Sequence, residues 1–263
     1  MSEDKFTVKD INDGIFAITS SEWSGKGALN RFLPIMQSYV ITGKEKCLVI
    51  DSPVPEIHGF HDFLMQRFNL PLVAVNTHGH IDHTGCNGQF GKVYLSEKDF
   101  SLIKGGGIVR GQGEVGYNMT PLSEGDNIEL GNRTVIVVPL PGHTEGSIGF
   151  FDIRTKILFS GDAIARRVLY GLSDKVPLDV YLSSLKKVSK LQPKYIYSMH
   201  DSFALHGKMN ERIVEIIESK LNSADKEWIS PVDGRPFIRI LENEESDEDF
   251  FDFTIDKNII VKE

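Results

Sequence analysis

The chain has 263 residues and a formal net charge of −8, from 29 Lys and Arg against 37 Asp and Glu. Its 40% hydrophobic and 25% charged composition belongs to a globular protein, not a disordered or fibrous one. No apolar run approaches the roughly 18–20 residues of a membrane helix, and Met1–Lys5 has no apolar stretch of a secretory signal. Cys47 and Cys86 are the only cysteines, which disfavours a disulfide framework and makes a reducing cytoplasm the expected location. The charge is uneven. Glu242, Glu244, Glu245, Asp247, Glu248, Asp249 and Asp252 fall together with no Lys or Arg among them. Setting those seven aside leaves 29 basic against 30 acidic residues, a nearly neutral body. With no basic stripe either, neither nucleic acid nor a membrane is an expected partner.

In chain order, strand signals come first: Phe6–Lys9, Ile15–Thr19, Met36–Ile41 and Cys47–Ile50 are short, apolar and β-branched. Turn residues at Asn12-Asp13-Gly14 and Gly43-Lys44-Glu45 read as hairpin connections. Glu56–Phe68 reads as an amphipathic helix through Ile57, Phe60, Leu64 and Phe68. Leu72–Val75 is a buried strand running into a His-rich loop. Val93–Leu95 is a strand, and Glu97–Ile103 a short helix capped by Ser96. The Gly-rich stretch 105–116 is a loop. Strands return at Asn127–Leu130, Thr134–Val138, Ser147–Asp152 and Lys156–Ser160. A helix at Val180–Leu191, a strand at Tyr195–Ser198 and a helix at Lys208–Leu221 follow. Beyond Ala224 the pattern changes, with strands at Phe237–Leu241 and Phe250–Ile255 flanking the acidic run. The expected architecture is α+β: two packed mixed sheets flanked by helices. Residues 1–224 form the main domain and 225–263 a short, acidic, β-rich C-terminal extension packed on it.

The chemistry concentrates at strand ends. Thr77-His78-Gly79-His80-Ile81-Asp82-His83 places three His and one Asp within six residues, a density that packing does not explain. Imidazole and carboxylate are ligands that zinc, iron and manganese accept. Downstream, His143 follows Val135–Pro139, Asp162 follows Ile157–Phe159, and His200 follows Tyr195–Tyr197. Singly each is weak; together, strand-end sites in one domain can converge on one sheet edge.

These motifs resemble the metallo-β-lactamase-fold superfamily of metallohydrolases, over roughly residues 6–221. The resemblance implies an αββα sandwich with the metals at one edge. It implies that His78, His80 and His143 bind one metal, that Asp82, His83 and His200 bind a second, and that Asp162 bridges them. Asp51 resembles a supporting aspartate of the family that hydrogen-bonds a ligand loop. Two divalent ions are implied, zinc first, with iron and manganese as alternatives. A hydroxide bridging the metals would attack an ester, thioester, lactone, amide or phosphoester, with Asp82 orienting it or taking its proton. The electropositive pocket admits an anionic small-molecule substrate. The oligomeric state is not readable.

Several other residues are weighed and set lower. His58 and His61 read as surface or packing residues of their helix, His206 as a loop residue, and Cys86 as a small buried residue under the motif. Tyr170 lies eight residues past Asp162, whereas family lactonases carry a Tyr three residues past it; here that position is Ala165. Loops 21–33 and 105–116 are candidates for substrate contact. Glyoxalase-type thioesterases resemble residues 77–83 and 141–147 but carry a helical C-terminal domain, unlike the strand pattern here. Two rival readings are a mononuclear-iron sulfur dioxygenase and a non-catalytic, metal-bearing interaction module.

Overall fold

The computed structural model describes residues 5–20, 34–52, 57–105, 115–173, 175–245 and 249–260. The first sheet holds β1 (Phe6–Asn12), β2 (Ile15–Ser20), β3 (Ser38–Thr42), β4 (Cys47–Ile50), β5 (Leu72–Val75), β6 (Lys92–Leu95) and β7 (Asn118–Pro121), side by side in that order. Next come β8 (Asn127–Glu129), β9 (Thr134–Pro139), β10 (Ile148–Asp152), β11 (Ile157–Phe159), β12 (Arg167–Tyr170), β13 (Tyr195–Tyr197) and β14 (Leu205–His206). All of these but β12 make the second sheet, in the order 14-13-11-10-9-8. A third sheet joins β12 to β15 (Lys226–Ile229), β16 (Pro236–Glu242) and β17 (Phe251–Asp256). The helices are α1 (Phe60–Phe68), α2 (Ile81–Thr84), α3 (Phe100–Lys104), α4 (Leu178–Val188), α5 (Met209–Lys220) and α6 (Lys257–Ile260).

The two larger sheets pack face to face. Ile15, Ala17, Tyr39, Ile41, Leu48 and Ile50 of the first meet Val135, Val137, Phe150, Ile157 and Phe159 of the second. The outer face of the first sheet, through Val40, Cys47 and Val49, is covered by Phe60, Phe63 and Leu64 of α1. The outer face of the second is covered by Tyr181 and Leu185 of α4 and Ile213 and Ile217 of α5. Strands buried on both sides carry apolar residues at consecutive positions, which is why β4 reads Cys-Leu-Val-Ile without alternation. The layers are thus α, β, β and α, as the strand and helix pattern predicted.

Strand direction decides where the chemistry lies. β4 and β5 run parallel, with Ile50 beside Val75, and β11 and β13 run parallel, with Phe159 beside Tyr197. β9 and β11 each pair antiparallel with β10, so β9 is parallel to β11. The C-terminal ends of these strands therefore emerge at one edge. There the amide of Ile148 donates to the carbonyl of Thr77 (2.8 Å), joining the two sheets directly.

Several elements differ from the expected limits. The helix expected over Glu56–Phe68 begins only at Phe60, because Gly59 takes a left-handed φ of 88° that stops it from extending backward. The expected helix Glu97–Ile103 is a 3₁₀ turn over Glu97–Asp99 followed by α3, and Ser96 makes no side-chain cap. Strands β7, β12 and β15 carry no clear sequence signal; each is short and defined by its neighbours. The C-terminal strands do not stand apart. β17 pairs parallel with β12, and Phe251, Phe253 and Ile255 share a core with Tyr170 and Tyr181. Among the described residues no helix is long and apolar enough to cross a membrane.

At the opposite edge, Arg133 and Asp152 form a buried pair with 1% and 0% side-chain exposure. Arg133 donates to both carboxylate oxygens of Asp152 (2.8 and 2.7 Å) and to the carbonyl of Asp13 in the β1–β2 turn (2.6 Å), tying one sheet to the other. Burial works to raise the Asp152 pKa, but Arg133 and Thr155 outweigh it and hold the carboxyl below its usual value. Arg133→Met leaves that carboxylate buried and uncompensated, and should cost about 3–5 kcal/mol. The deficit should shrink as pH falls below about 3.9, where the unfolded carboxylate protonates, and the pair's contribution to wild type is lost as pH falls on through the depressed native value. Urea midpoints of both proteins across pH check this. An equal midpoint at pH 7 would contradict it.

Candidate metal centre

The turn after β5 carries the His-rich motif into the edge between the sheets. It is positioned by Asp51, the residue directly after β4. Asp51 has a left-handed φ of 60°, a conformation that Asp adopts more readily than most residues. This aims its carboxylate across the strand ends. One oxygen accepts from the Thr77 amide (2.7 Å), and the other from the Thr77 hydroxyl (2.8 Å) and from His83 Nδ1 (2.8 Å). The Asp162 loop crowds the same threonine. Gly161 has φ 54°, and a Cβ there would meet Thr77 Oγ1 at 2.4 Å, so only glycine fits.

The structure brings all seven predicted residues together, in two groups. His78, His80 and His143 form one; Asp82, His83, Asp162 and His200 form the other; within each group the donor atoms lie within 4.8 Å of one another. His80 Nδ1 is 3.0 Å from His78 Nε2 and 2.9 Å from His143 Nε2. In the second group, His200 Nε2 is 3.3 Å from Asp82 Oδ2 and 3.4 Å from Asp162 Oδ1, and His83 Nε2 is 3.4 Å from that same Asp162 oxygen. The other Asp162 oxygen faces His143 Nε2 at 3.7 Å, so this carboxylate stands between the groups.

The far side of each ring fixes its tautomer. His143 Nδ1 donates to the Leu169 carbonyl and His200 Nδ1 to the Ile35 carbonyl, each at 2.8 Å. His83 Nδ1 donates to the Asp51 carboxylate. Thr77 Oγ1 spends its one hydrogen on Asp51, so His78 Nδ1 donates to it at 3.1 Å. The inward nitrogens of these four rings are therefore bare lone pairs when the rings are neutral. They point at each other and at carboxylates. His83 Nε2, Asp162 Oδ1 and His200 Nε2 are buried without any hydrogen bond. Such an arrangement is costly alone and is satisfied by a cation between the lone pairs. The donor set thus fits divalent metal ions, with oxygen and nitrogen ligands and no thiolate.

The two groups differ electrostatically. Burial lowers the His78 and His80 pKa values, and the neighbouring rings lower them further, His80 to about 3. His143 is also lowered by burial, only partly opposed by Asp162. Burial works the same way on His83 and His200, but there the carboxylates win. Asp162, Asp51 and Asp82 raise His83 well above its usual value, and Asp162 and Asp82 raise His200 to about 10.

Several supports lie outside any sequence motif. Asp99, at the end of a 3₁₀ turn, accepts from the Gly79 amide (2.7 Å), the Thr144 hydroxyl (2.8 Å) and the Gly146 amide (2.8 Å). One carboxylate thereby ties the His78–His80 turn to the His143 loop. Ser173 Oγ meets His80 Nε2 at 2.9 Å. Asp201, next to His200, accepts from Ser198 Oγ (2.7 Å), Arg166 Nε (2.7 Å) and the Arg166 amide (3.1 Å). No local signal marks these residues, because each acts on segments far away in sequence. The residues set lower behave as expected. His61 packs edge-on against Phe90 and pairs with Asp62, His58 joins neither donor group, Cys86 is fully buried, and exposed His206 accepts from the Lys208 amide. Tyr170 is a core residue whose hydroxyl donates to the Val176 carbonyl. Loop 21–33 and residues 106–114 of the Gly-rich loop lie outside the described residues.

Comparison with known proteins agrees with this geometry. The family profile described as Metallo-beta-lactamase superfamily matches residues 36–200. The acyl-coenzyme A thioesterase MBLAC2 of Homo sapiens is 30% identical over 189 residues, covering 59% of this chain and 65% of the relative. This chain thus spans slightly under two thirds of that relative's length. Hydroxyacylglutathione hydrolase 1 of Vibrio vulnificus is 32% identical over 222 residues, covering 78% and 83%. Among solved structures, a metallo-beta-lactamase from Pontibacter korlensis superposes with a TM-score of 0.62 at 17% identity, covering 82% of this chain and all of that one. A metallo-beta-lactamase superfamily protein from Sulfolobus tokodaii gives 0.58 at 21%, covering 80% and 88%.

Two outcomes follow for metal binding. At pH 7 the raised His83 and His200 are protonated in the metal-free protein, while His78, His80 and His143 are neutral. Filling the second group should release a proton from each of His83 and His200, a release that filling the first group lacks. Affinity of the second group should therefore rise with pH up to about 10, where His200 loses its proton unaided. Calorimetric zinc titration in buffers of different ionisation enthalpy reads this; equal proton release in both steps would refute it. Asp51→Ala should weaken metal binding about 10–100-fold by freeing His83 and Thr77. Competition with a chelator of known affinity measures the change.

Proposed function

We propose, from the premise that this chain belongs to the metallo-β-lactamase superfamily, that it is a metal-dependent hydrolase acting on thioesters. The observation that carries this reading is the pair of donor groups with Asp162 facing both. His78, His80 and His143 would hold one divalent ion and Asp82, His83 and His200 a second, with Asp162 shared; zinc is the first choice. Bound there, such ions lower the pKa of water toward about 7 and stabilise negative charge developing on an acyl oxygen.

The chain's own residues set the geometry. Asp82 is the most exposed carboxylate of the site, with 15% of its side chain accessible, and its Oδ2 lies beside His200 Nε2. It is placed to orient an attacking water and accept its proton. Asp51 keeps His83 turned inward, and the Leu169 and Ile35 carbonyls do the same for His143 and His200. The choice of thioester rests on the relatives: the human protein is named an acyl-coenzyme A thioesterase, and the Vibrio protein for hydroxyacylglutathione. In both, the acyl group is carried on a thiol. A thiol with a pKa near about 8.5 leaves readily as an anion, so the reaction asks for no strong general acid.

Residues 1–224 would form the catalytic body. Residues 225–263 would extend it by pairing β17 with β12, the strand whose Leu169 carbonyl holds His143. The substrate would be a small, anionic molecule.

Metal-loaded protein should hydrolyse an acyl-coenzyme A thioester, lose the activity on chelation and regain it with zinc. Asp162→Ala should lower both metal content and turnover, the latter by roughly 100-fold or more. Thiol release is read with a chromogenic disulfide. Activity that survives complete metal removal, or one iron per chain with thiol-dependent oxygen uptake, would overturn the reading.

A further inference from the structure

A groove of about 980 Å³ opens beside the His200 segment, lined among others by Arg166, Phe203, His206, Lys208, Arg212 and Asp249. Its position is fixed by the site. Arg166 donates to Asp201 through both its side chain and its amide, and Asp201 directly follows His200. The Arg166 guanidinium also lies over the Phe203 ring, 4.2 Å from its centroid, so both residues are held in place.

The charge of this groove is out of keeping with the chain. The protein carries −8 overall, yet three cationic side chains meet here against one acidic lining residue, Asp249. Asp201 offsets Arg166 from behind. Among the described residues neither Lys208 nor Arg212 makes an ion pair, and Arg212 spends one donor on the Asp249 carbonyl (2.6 Å). The other surface cations of this region behave differently: Lys186 pairs with Glu218 and Lys220 with Glu242. Lys208 and Arg212 lie four apart at the start of α5, so both stand on one helix face at the groove. An arginine fork beside a lysine, above a buried arginine, is an arrangement that receives phosphate oxygens.

We infer that this groove binds phosphate groups of the substrate, remote from the bond that is cut. The substrate class is then a thioester whose thiol carrier bears phosphates, such as a coenzyme A thioester, with the acyl end reaching the metal centre. The inference rests on the thioesterase reading for its context, but the groove can be tested without it.

Lys208→Gln combined with Arg212→Gln changes two partly exposed side chains on a helix surface and should leave folding intact, as circular dichroism would show. With the metal-loaded protein, kcat/KM is compared for an acyl-coenzyme A thioester and the same acyl group on N-acetylcysteamine, which has no phosphate. Wild type should favour the former by roughly tenfold or more, and the double variant should bring that ratio toward one. A ratio near one in wild type, or the same ratio in the variant, overturns the proposal. Independently of any activity, adenosine 3′,5′-bisphosphate should bind wild type with an affinity that falls as salt rises. The double variant should bind it roughly tenfold more weakly. If no thioester is hydrolysed but this binding difference holds, the thioesterase reading fails and the phosphate site stands. If the bisphosphate does not bind, or binds both proteins equally, the phosphate site fails.

Discussion

Holding metal-donor side chains inward in a buried space is the constraint around which this protein is organised. Seven donor side chains converge in a buried space, and three of their atoms have no hydrogen bond there. Left to relax, the rings would turn outward toward water. They do not, because each is held from behind. Buried aspartates outside the donor groups do much of this work. Asp51 fixes Thr77 and His83, Asp99 joins the turn of His78 and His80 to the loop of His143, and Asp201 anchors the segment of His200. The cost of holding unpaired donors together is met by this outer frame, and it becomes a gain once a cation sits between them.

The frame exists because of the sandwich. Parallel strands deliver their C-terminal ends to a common edge, so segments separated by more than a hundred residues arrive side by side. The inter-sheet core from Ile15 to Phe159 sets the spacing of the two sheets, and the Ile148–Thr77 hydrogen bond locks it at the site. At the other edge the Arg133–Asp152 pair reaches the β1–β2 turn. Rigid packing on both sides is what holds His80 Nδ1 about 3 Å from both His78 Nε2 and His143 Nε2.

Charge is sorted by the fold as well. The acidic run from Glu242 onward is used in part on exposed lysines, as with Lys220–Glu242 and Lys226–Glu244. In the groove next to His200, Lys208 and Arg212 make no ion pair among the described residues. A net charge of −8 therefore says little about what the site attracts. The local balance differs from the total, and fields from distant exposed charges are screened over about 8–10 Å.

The sequence by itself determined which residues were candidates for the donor set. His78, His80, Asp82 and His83 stand out by their density in one short turn, whereas His143, Asp162 and His200 are each weak by position alone and were singled out by strand-end placement together with the family resemblance. It also determined the alternation of strands and helices, since hydrophobic periodicity is a local property. Tertiary structure decided what depends on contact between distant segments. It decided that Asp99 clamps two loops and that Ser173 meets His80. It joined the last strands to β12 in a third sheet, and it gave Asp201 a buried arginine that reaches into a cationic groove. None of these leaves a mark in the neighbouring sequence, because a carboxylate or an arginine takes its role from what folding places opposite it.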